Sequence, residues 1–342
     1  MDAELPTRRA VSDAPFPAGG SSRDKLRFAI EYAVLAPSSH NSQPWHFVLK
    51  EDSVLVCADR TRALPVVDPF DRELVISCGA ALFNLRIALI HFDSACEVCP
   101  LPNPADPDVL AEVRIRPDGY RDPDLACLFA SMRRRATNRS EYVPDSVPHE
   151  LQKKLREAAQ SEGAALACIE KEGLRERIAD LIAEGDRVQF TDAHFRRELA
   201  SWMHSARHDD GMPAYAKGVG KILDLATPVY SAAIRTFDVG NSVAASHHKL
   251  VQGSPMLACL STGTDDAAAW LAAGQAMERV LLLITDAWFD ASFLNQPIEV
   301  SSLRPQLRDL TGSKAYPQIL LRAGTGQAPR WSSRRPVSEV LW

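Results

Sequence analysis

Much that would place a chain in a functional class is missing from this 342-residue sequence. No sign of charge dominates: 39 Lys and Arg against 44 Asp and Glu leave a formal charge of -5, with no footprint for bulk nucleic-acid binding. No apolar run reaches 18 residues without a charge, so no segment is expected to span a membrane. The N-terminus has Arg8 and Arg9 but no long apolar stretch, which excludes a secretion signal and leaves a cytoplasmic location as the expectation. Seven scattered cysteines are an odd count for a disulfide framework and read as free thiols. Cys96 and Cys99 form a CxxC without a second pair, the nine histidines show no HExxH spacing, and the adjacent His247 and His248 diverge on a helix. No metal site is expected.

What is present is a chain that can bury a sizeable core, 46% hydrophobic and 24% charged. Its length permits one large domain, two ordinary ones or a duplicated unit. Residues 1–20, with three prolines and two adjacent glycines, are expected to be a flexible tail outside the core. Leu26, Ala29, Ile30, Ala33 and Val34 then recur at helical spacing over Ser22 to Leu35, and Pro37 ends that helix. The loop that follows, Ala36 to Phe47, reads APSSHNSQPWHF. Its hydroxyls and amides suit a flat ligand rich in carbonyls and ring nitrogens. The plainer alternative is a polar helix exit with Pro44 and Trp45 packed beneath it.

Two short alternating runs, His46 to Lys50 and Val54 to Ala58, predict a hairpin. Asp71 to Phe92 is long and apolar, and its small residues around Gly79 allow close approach of another helix or of a ligand. Strands are expected at Cys96 to Pro100 and Leu110 to Arg116, and a helix over Asp122 to Met132. That helix runs into Arg133, Arg134, Arg135, Thr137, Asn138 and Arg139, an anion-binding candidate or a solvated basic turn. Ser146 then caps a helix to Gln160, Ala164 to Ile169 is strand-like, and Glu172 to Glu184 and Asp192 to His204 are helical. This order echoes the first part of the chain and suggests a duplicated unit. Residues 205–220 read as an excursion, and Lys221 to Lys249 has mixed helical periodicity. Met256 to Leu260 is a strand, Asp265 or Asp266 caps a strong helix through Leu283, and Ala291 to Val300 is a loop. A short helix over Ser302 to Leu310, a strand at Gln318 to Arg322 and a basic tail at Arg330, Arg334 and Arg335 complete the chain.

PSSHNSQPW at Pro37 to Trp45, the arginine run, SCGAALFNLRIAL, WLAAGQAMERVLLL and PIE at Pro297 to Glu299 together resemble the nitroreductase family of FMN flavoproteins. The nearer likeness is to its mycobacterial and streptomycete branch, in which two nitroreductase-like halves are fused. The resemblance implies an α+β nitroreductase-like fold whose pseudo-symmetric halves mimic the family homodimer. The halves are placed at 21–125 and 126–342, with a possible lid near 205–220. It implies FMN contacts from Pro37, Ser38, Ser39, Asn41 and Gln43 of the loop and from Arg134, Arg135, Thr137 and Arg139 of the arginine motif. Pro297, Ile298 and Glu299 would lie near the flavin ring, and Arg334 and Arg335 at the phosphate.

The first half has the loop without an arginine motif, and the second has the motif without the loop, which implies one FMN per chain. The implied activity is ping-pong hydride transfer from NAD(P)H through FMN to a nitroaromatic or quinone-like acceptor, with FMN sequestration as the alternative. No catalytic side chain is named, and both monomer and homodimer remain open. Val300 stands where the family has glycine after PIE and is expected to crowd the ring.

Overall fold

Ser21 accepts from the Asp24 N–H and Asp24 accepts from the Ser21 N–H, a reciprocal cap that starts the first helix, α1 (Ser22–Ala33). The computed structural model describes residues 15–116, 119–203, 208–212, 227–328 and 331–342. After α1 come the hairpin β1 (Trp45–Leu49) and β2 (Ser53–Ala58), the long helix α2 (Arg72–His91), and the strands β3 (Cys96–Pro100) and β4 (Val109–Ile115). All pairings are antiparallel, in the order β1-β2-β4-β3.

A connector follows, with α3 (Pro123–Cys127), α4 (Phe129–Arg134) and the short β5 (Tyr142–Val143). The second half then repeats the plan. It runs α5 (His149–Ser161), β6 (Ala165–Ile169), an inserted group of helices, β7 (Met256–Thr262), α10 (Ala267–Asp286), β8 (Asp290–Phe293) and β9 (Tyr316–Gly326). Its strands lie in the order β6-β7-β9-β8, the topology of the first sheet, with β5 added at the end of β9. The inserted helices are α6 (Glu172–Thr191), α7 (Ala193–Ser201), α8 (Thr227–Thr236) and α9 (Gly240–Gln252). Two short helices, α11 (Gln296–Glu299) and α12 (Arg304–Thr311), lie between β8 and β9, and α13 (Val337–Val340) ends the chain.

Several expectations are corrected. Pro148, not Ser146, precedes the first turn of α5. The helix expected to stop at Glu184 runs on to Thr191. The segment Ala291 to Val300 is not a loop but the end of β8 followed by α11. The helix–strand echo is interrupted, because α6 to α9 separate β6 from its partner β7. The expected tail contributes Phe16, whose ring stacks on Phe92 at 4.6 Å and meets Phe28 edge-on at 5.4 Å. By length and composition α2 and α10 would each reach across a membrane, but they are core helices packed on each other.

That packing explains the two helical glycines. A Cβ on Gly79 would overlap the Leu271 carbonyl oxygen, and one on Gly274 would lie 2.8 Å from Gly79 Cα and overlap the Ile76 carbonyl. Of the alternatives for the small-residue cluster, the structure selects helix packing. α1 lies against α2 and α5 against α10, so one apolar core runs through both halves. The last residues of the second half return to the first sheet: the Trp342 N–H donates to the Phe47 carbonyl at 2.8 Å, beside β1.

In an exposed helix, Gly to Ala stabilises by about 1 kcal/mol. Here Gly274→Ala is expected to destabilise the chain by about 1–3 kcal/mol through overpacking, seen as a lower thermal midpoint. An unchanged or raised midpoint would contradict the close crossing.

Candidate functional site

The loop after α1 is backbone-strained. His40, Asn41 and Gln43 all have positive φ, between 52° and 54°, where non-glycine residues cost free energy. Its polar side chains hold that conformation. The Gln43 N–H donates to Ser38 Oγ at 2.9 Å, and Gln43 Nε2 donates to the Asp209 carbonyl at 2.8 Å. Gln43 Oε1 accepts from the Arg335 N–H at 2.8 Å. Asn41 Nδ2 donates to the carbonyls of Gly211 and Ser333, and Asn41 Oδ1 accepts from Arg334 at 3.0 Å.

The buried Arg334 also donates to the carbonyls of Leu35 and Ala36, just past α1, where a cation complements the helix dipole. Burial, then the neighbouring Arg135 guanidinium, push Arg334 down to about 9, with Glu278 opposing. Arg135 shares the Leu35 carbonyl at 3.1 Å and faces the buried Glu278 at 3.6 Å. Arg335 is turned to the Gln43 carbonyl, Asp59 and Glu339. Arg134 lies outside, its guanidinium 4.4 Å from the Trp288 ring and 3.4 Å from Asp286. Asn41, Gln43, Arg134, Arg135, Arg334 and Arg335, expected to face a ligand, are thus engaged in loop, core and surface contacts.

Arg139 differs. The segment around it is fastened to the second sheet: Thr137 bridges Ala291, the Asn138 N–H donates to the Ala291 carbonyl, and Tyr142 Oη donates to the Asn138 carbonyl at 2.8 Å. The buried Arg322 donates to the Ser140 carbonyl at 2.8 Å and lies 4.0 Å over the Tyr142 ring. This frame directs Arg139 into a cavity of about 150 Å³, where it has no hydrogen bond or ion pair among the described residues. Burial lowers its pKa, Tyr142 opposes that, and the Arg322 cation adds to it. Thr137 itself does not line the cavity.

Opposite Arg139, the first half contributes Pro37, Ser38, Ser39 and His40, with Glu73 and Ser77 of α2. The second half adds Asn295, Gln296 and Glu299, and the inserted helices add Asp186, Gln189, Phe190, Phe195 and His247. Ser39 Oγ donates to the buried Glu73, whose other oxygen accepts from Arg72 at 2.8 Å and Asn295 at 3.5 Å. Glu299 accepts from Gln189 Nε2 at 2.5 Å. Gln296 Oε1 is buried without a partner among the described residues. Pro297 and Ile298 point away, Ile298 into a separate core cluster. Val300 is extended and lines an outer groove of about 770 Å³, not the cavity, so it crowds nothing there. Of the expected lid, residues 208–212 are clamped to the loop and Met212 lines the cavity. Residues 205–207 and 213–220, like Arg330, lie outside the described residues.

No family model matches the chain. A Mycobacterium tuberculosis protein named as an NAD(P)H nitroreductase is 30% identical over 302 residues, covering 88% of this chain and 85% of the relative. The chain belongs to the nitroreductase family. An uncharacterised protein of the same organism is 28% identical over 327 residues, covering 92% of each chain. Among solved structures, the FMN-dependent nitroreductase NfnB from Mycobacterium smegmatis, in complex with NADPH, covers 63% of this chain with a TM-score of 0.41 and 16% identity.

Of the residues that the family resemblance implied, Pro37, Ser38, Ser39, Arg139 and Glu299 line the cavity; Glu73, Asp186, Gln189, His247 and Gln296 line it too and were not among them. Glu73 read only as the start of an apolar helix, and His247 was weighed only as a metal ligand. The one signal available was the charge of Glu73 on an otherwise apolar, buried helix.

Burial, and then the nearby Glu73, raise Asp68 to about 6, against the Leu74 N–H and Arg72, which lower it. Its folded pKa lies above the ordinary carboxyl value of 3.8, so the native state holds the proton longer. Stability from this group is therefore expected to fall as pH rises from about 4 to about 6. Asp68→Asn should remove that slope and raise the melting midpoint at neutral pH, with little change below pH 4; an identical pH profile would contradict it. Arg334→Ala, which strands buried carbonyls, is expected to cost about 2–3 kcal/mol in a denaturant titration.

Proposed function

We propose that the chain is an FMN-dependent NAD(P)H oxidoreductase that binds one flavin between its halves, the units at 21–125 and 126–342. The observation that carries this reading is Arg139, a guanidinium inside the cavity with no anionic partner among the described residues and a second cation behind it. A desolvated, unpaired cation is costly, and a phosphate is the group that relieves it.

The other donors and acceptors fit FMN too. Ser38 and Ser39 suit a polyol chain, the Asn295 and Gln189 amides suit ring carbonyls, and the unpartnered Gln296 Oε1 suits a ring N–H. Held there, FMN would supply hydride transfer between NAD(P)H and a nitroaromatic or quinone-like acceptor, which accords with the name of the mycobacterial relative, an NAD(P)H nitroreductase. The chain's own part is to orient and to exclude water. Glu73 fixes the Ser39 hydroxyl, and Phe190, Phe195, Leu199, Met212 and Val243 line the cavity on the side of the insertion. Both sides of the site come from one chain, so a monomer suffices.

That same apolar wall and small volume favour a second reading, a store that holds FMN with little turnover. Anaerobic titration with NADH and NADPH separates the two: the oxidoreductase bleaches its flavin absorbance and the store does not. A purified chain that is colourless and takes up no added FMN would overturn both. For the phosphate, Arg139→Ala is expected to weaken FMN binding roughly tenfold to a hundredfold. Arg134→Ala, at an exposed pair, should change it by less than about twofold. The reverse ranking would move the phosphate to the outer arginine.

A further inference from the structure

Where α6 meets α11 the helix backbone makes direct contact: a Cβ on Gly185 would lie 2.7 Å from Gln296 Cβ. The next residue, Asp186, is 1% exposed and is delivered to the cavity wall. Its Oδ2 lies 2.8 Å from His247 Nδ1, and its Oδ1 accepts from Gln296 Nε2 at 3.2 Å. Gln296 Nε2 also lies 3.0 Å from His247 Nδ1. All three residues line the cavity beside Glu299, Glu73 and Arg139. The next residue of α9, His248, instead faces the exposed Asp180 at 3.4 Å.

A carboxylate that accepts from Nδ1–H fixes the ring orientation and leaves Nε2 as the nitrogen that can take up and release a proton. Core packing does not require such a device on an inserted helix. α11 also carries Glu299, so the imidazole is tied to the segment that would meet the flavin ring.

We propose that His247, held by Asp186, whose other oxygen is fixed by Gln296, is the general acid for the electron acceptor. The inference rests on the oxidoreductase reading above. Three carboxylates in the lining, Glu73, Asp186 and Glu299, disfavour an anionic acceptor, and the apolar wall favours a flat ring. A quinone receives one hydride equivalent, two electrons and a proton originating from NAD(P)H. One carbonyl becomes a hydroxyl, the electron pair shifts through the ring, and the second oxygen is left as a phenolate. His247 Nε2–H gives its proton to that oxygen. The N–H bond breaks, an O–H bond forms, hydroquinone leaves, and the neutral imidazole regains a proton from water.

The test uses the FMN-loaded, oxidised chain and 4-chlorophenol as a non-reacting mimic of the product. Binding is read from the long-wavelength charge-transfer absorbance of the phenolate–flavin contact. Wild type is expected to bind 4-chlorophenol with its oxygen hydrogen-bonded to His247 Nε2. Of the other charged groups, Asp186 on α6 contacts His247, and Glu299 on α11, Glu73 on α2 and Arg139 line the same cavity, while on its own helix His248 pairs with Asp180 and Lys249 with Glu141. His247→Gln, which keeps a hydrogen bond to Asp186, should weaken phenol binding about tenfold or more and diminish the charge-transfer absorbance. It should keep FMN content and the rate of flavin reduction by NAD(P)H, while reoxidation by a benzoquinone slows. Asp186→Asn should weaken phenol binding less than His247→Gln does. A loaded His247→Gln chain that binds 4-chlorophenol with unaltered affinity and charge-transfer absorbance overturns this inference alone. A wild-type chain that takes up no FMN overturns the oxidoreductase reading and this inference with it.

Discussion

The close crossing of α2 and α10 at Gly79 and Gly274 is the contact on which the rest depends. Each glycine lies against backbone of the opposite helix, so the two halves meet at a distance that no side chain permits. The crossing also sets where the halves face each other off the axis. The loop of Pro37 to His40 and Glu73 on α2 come to one side of the cavity. Arg139 and α11, fastened to the second sheet, come to the other. A site made by two halves needs their relative position held to a fraction of a side chain, and direct backbone contact in a shared core provides that.

Buried arginines then divide into two kinds. Arg334 and Arg135 share the Leu35 carbonyl, and Arg322 serves the Asn138 and Ser140 carbonyls. All three fix irregular backbone that has no ladder or helix partner of its own. Arg139 lies on a segment that those contacts hold still, and it alone of the four faces the cavity without a bond among the described residues. The structural arginines make the rigid surroundings, and the remaining one is left to recognise an anion.

Local pattern revealed the elements well, because α1, the first hairpin and α10 follow apolar periodicity, the two helices carry caps at Ser21 and Asp266, and α2 is a long apolar run. The duplication was legible as a loose echo, and the sheets resolve it into one shared topology. The α6–α9 insertion hid it, since it separates paired strands β6 and β7. Within the site, chemistry alone did not distinguish a side chain that faces a ligand from one that holds a strained turn. Asn41 and Gln43 have the right groups for a flavin edge, yet positive φ angles nearby demand those groups for the loop itself. Glu73, Asp186 and His247 come from three helices and become neighbours only through the crossing and the insertion, so no spacing announces them.

The central claim is that a phosphate on Arg139 of one half and a flavin against the Ser38–Ser39 loop of the other are held in one chain. Comparing FMN with riboflavin, which lacks the phosphate, on wild-type and Arg139→Ala chains tests it most directly. The account predicts that wild type binds FMN far more tightly than riboflavin and that Arg139→Ala largely erases the preference while riboflavin affinity stays the same. A preference for FMN that survives undiminished in Arg139→Ala would contradict it.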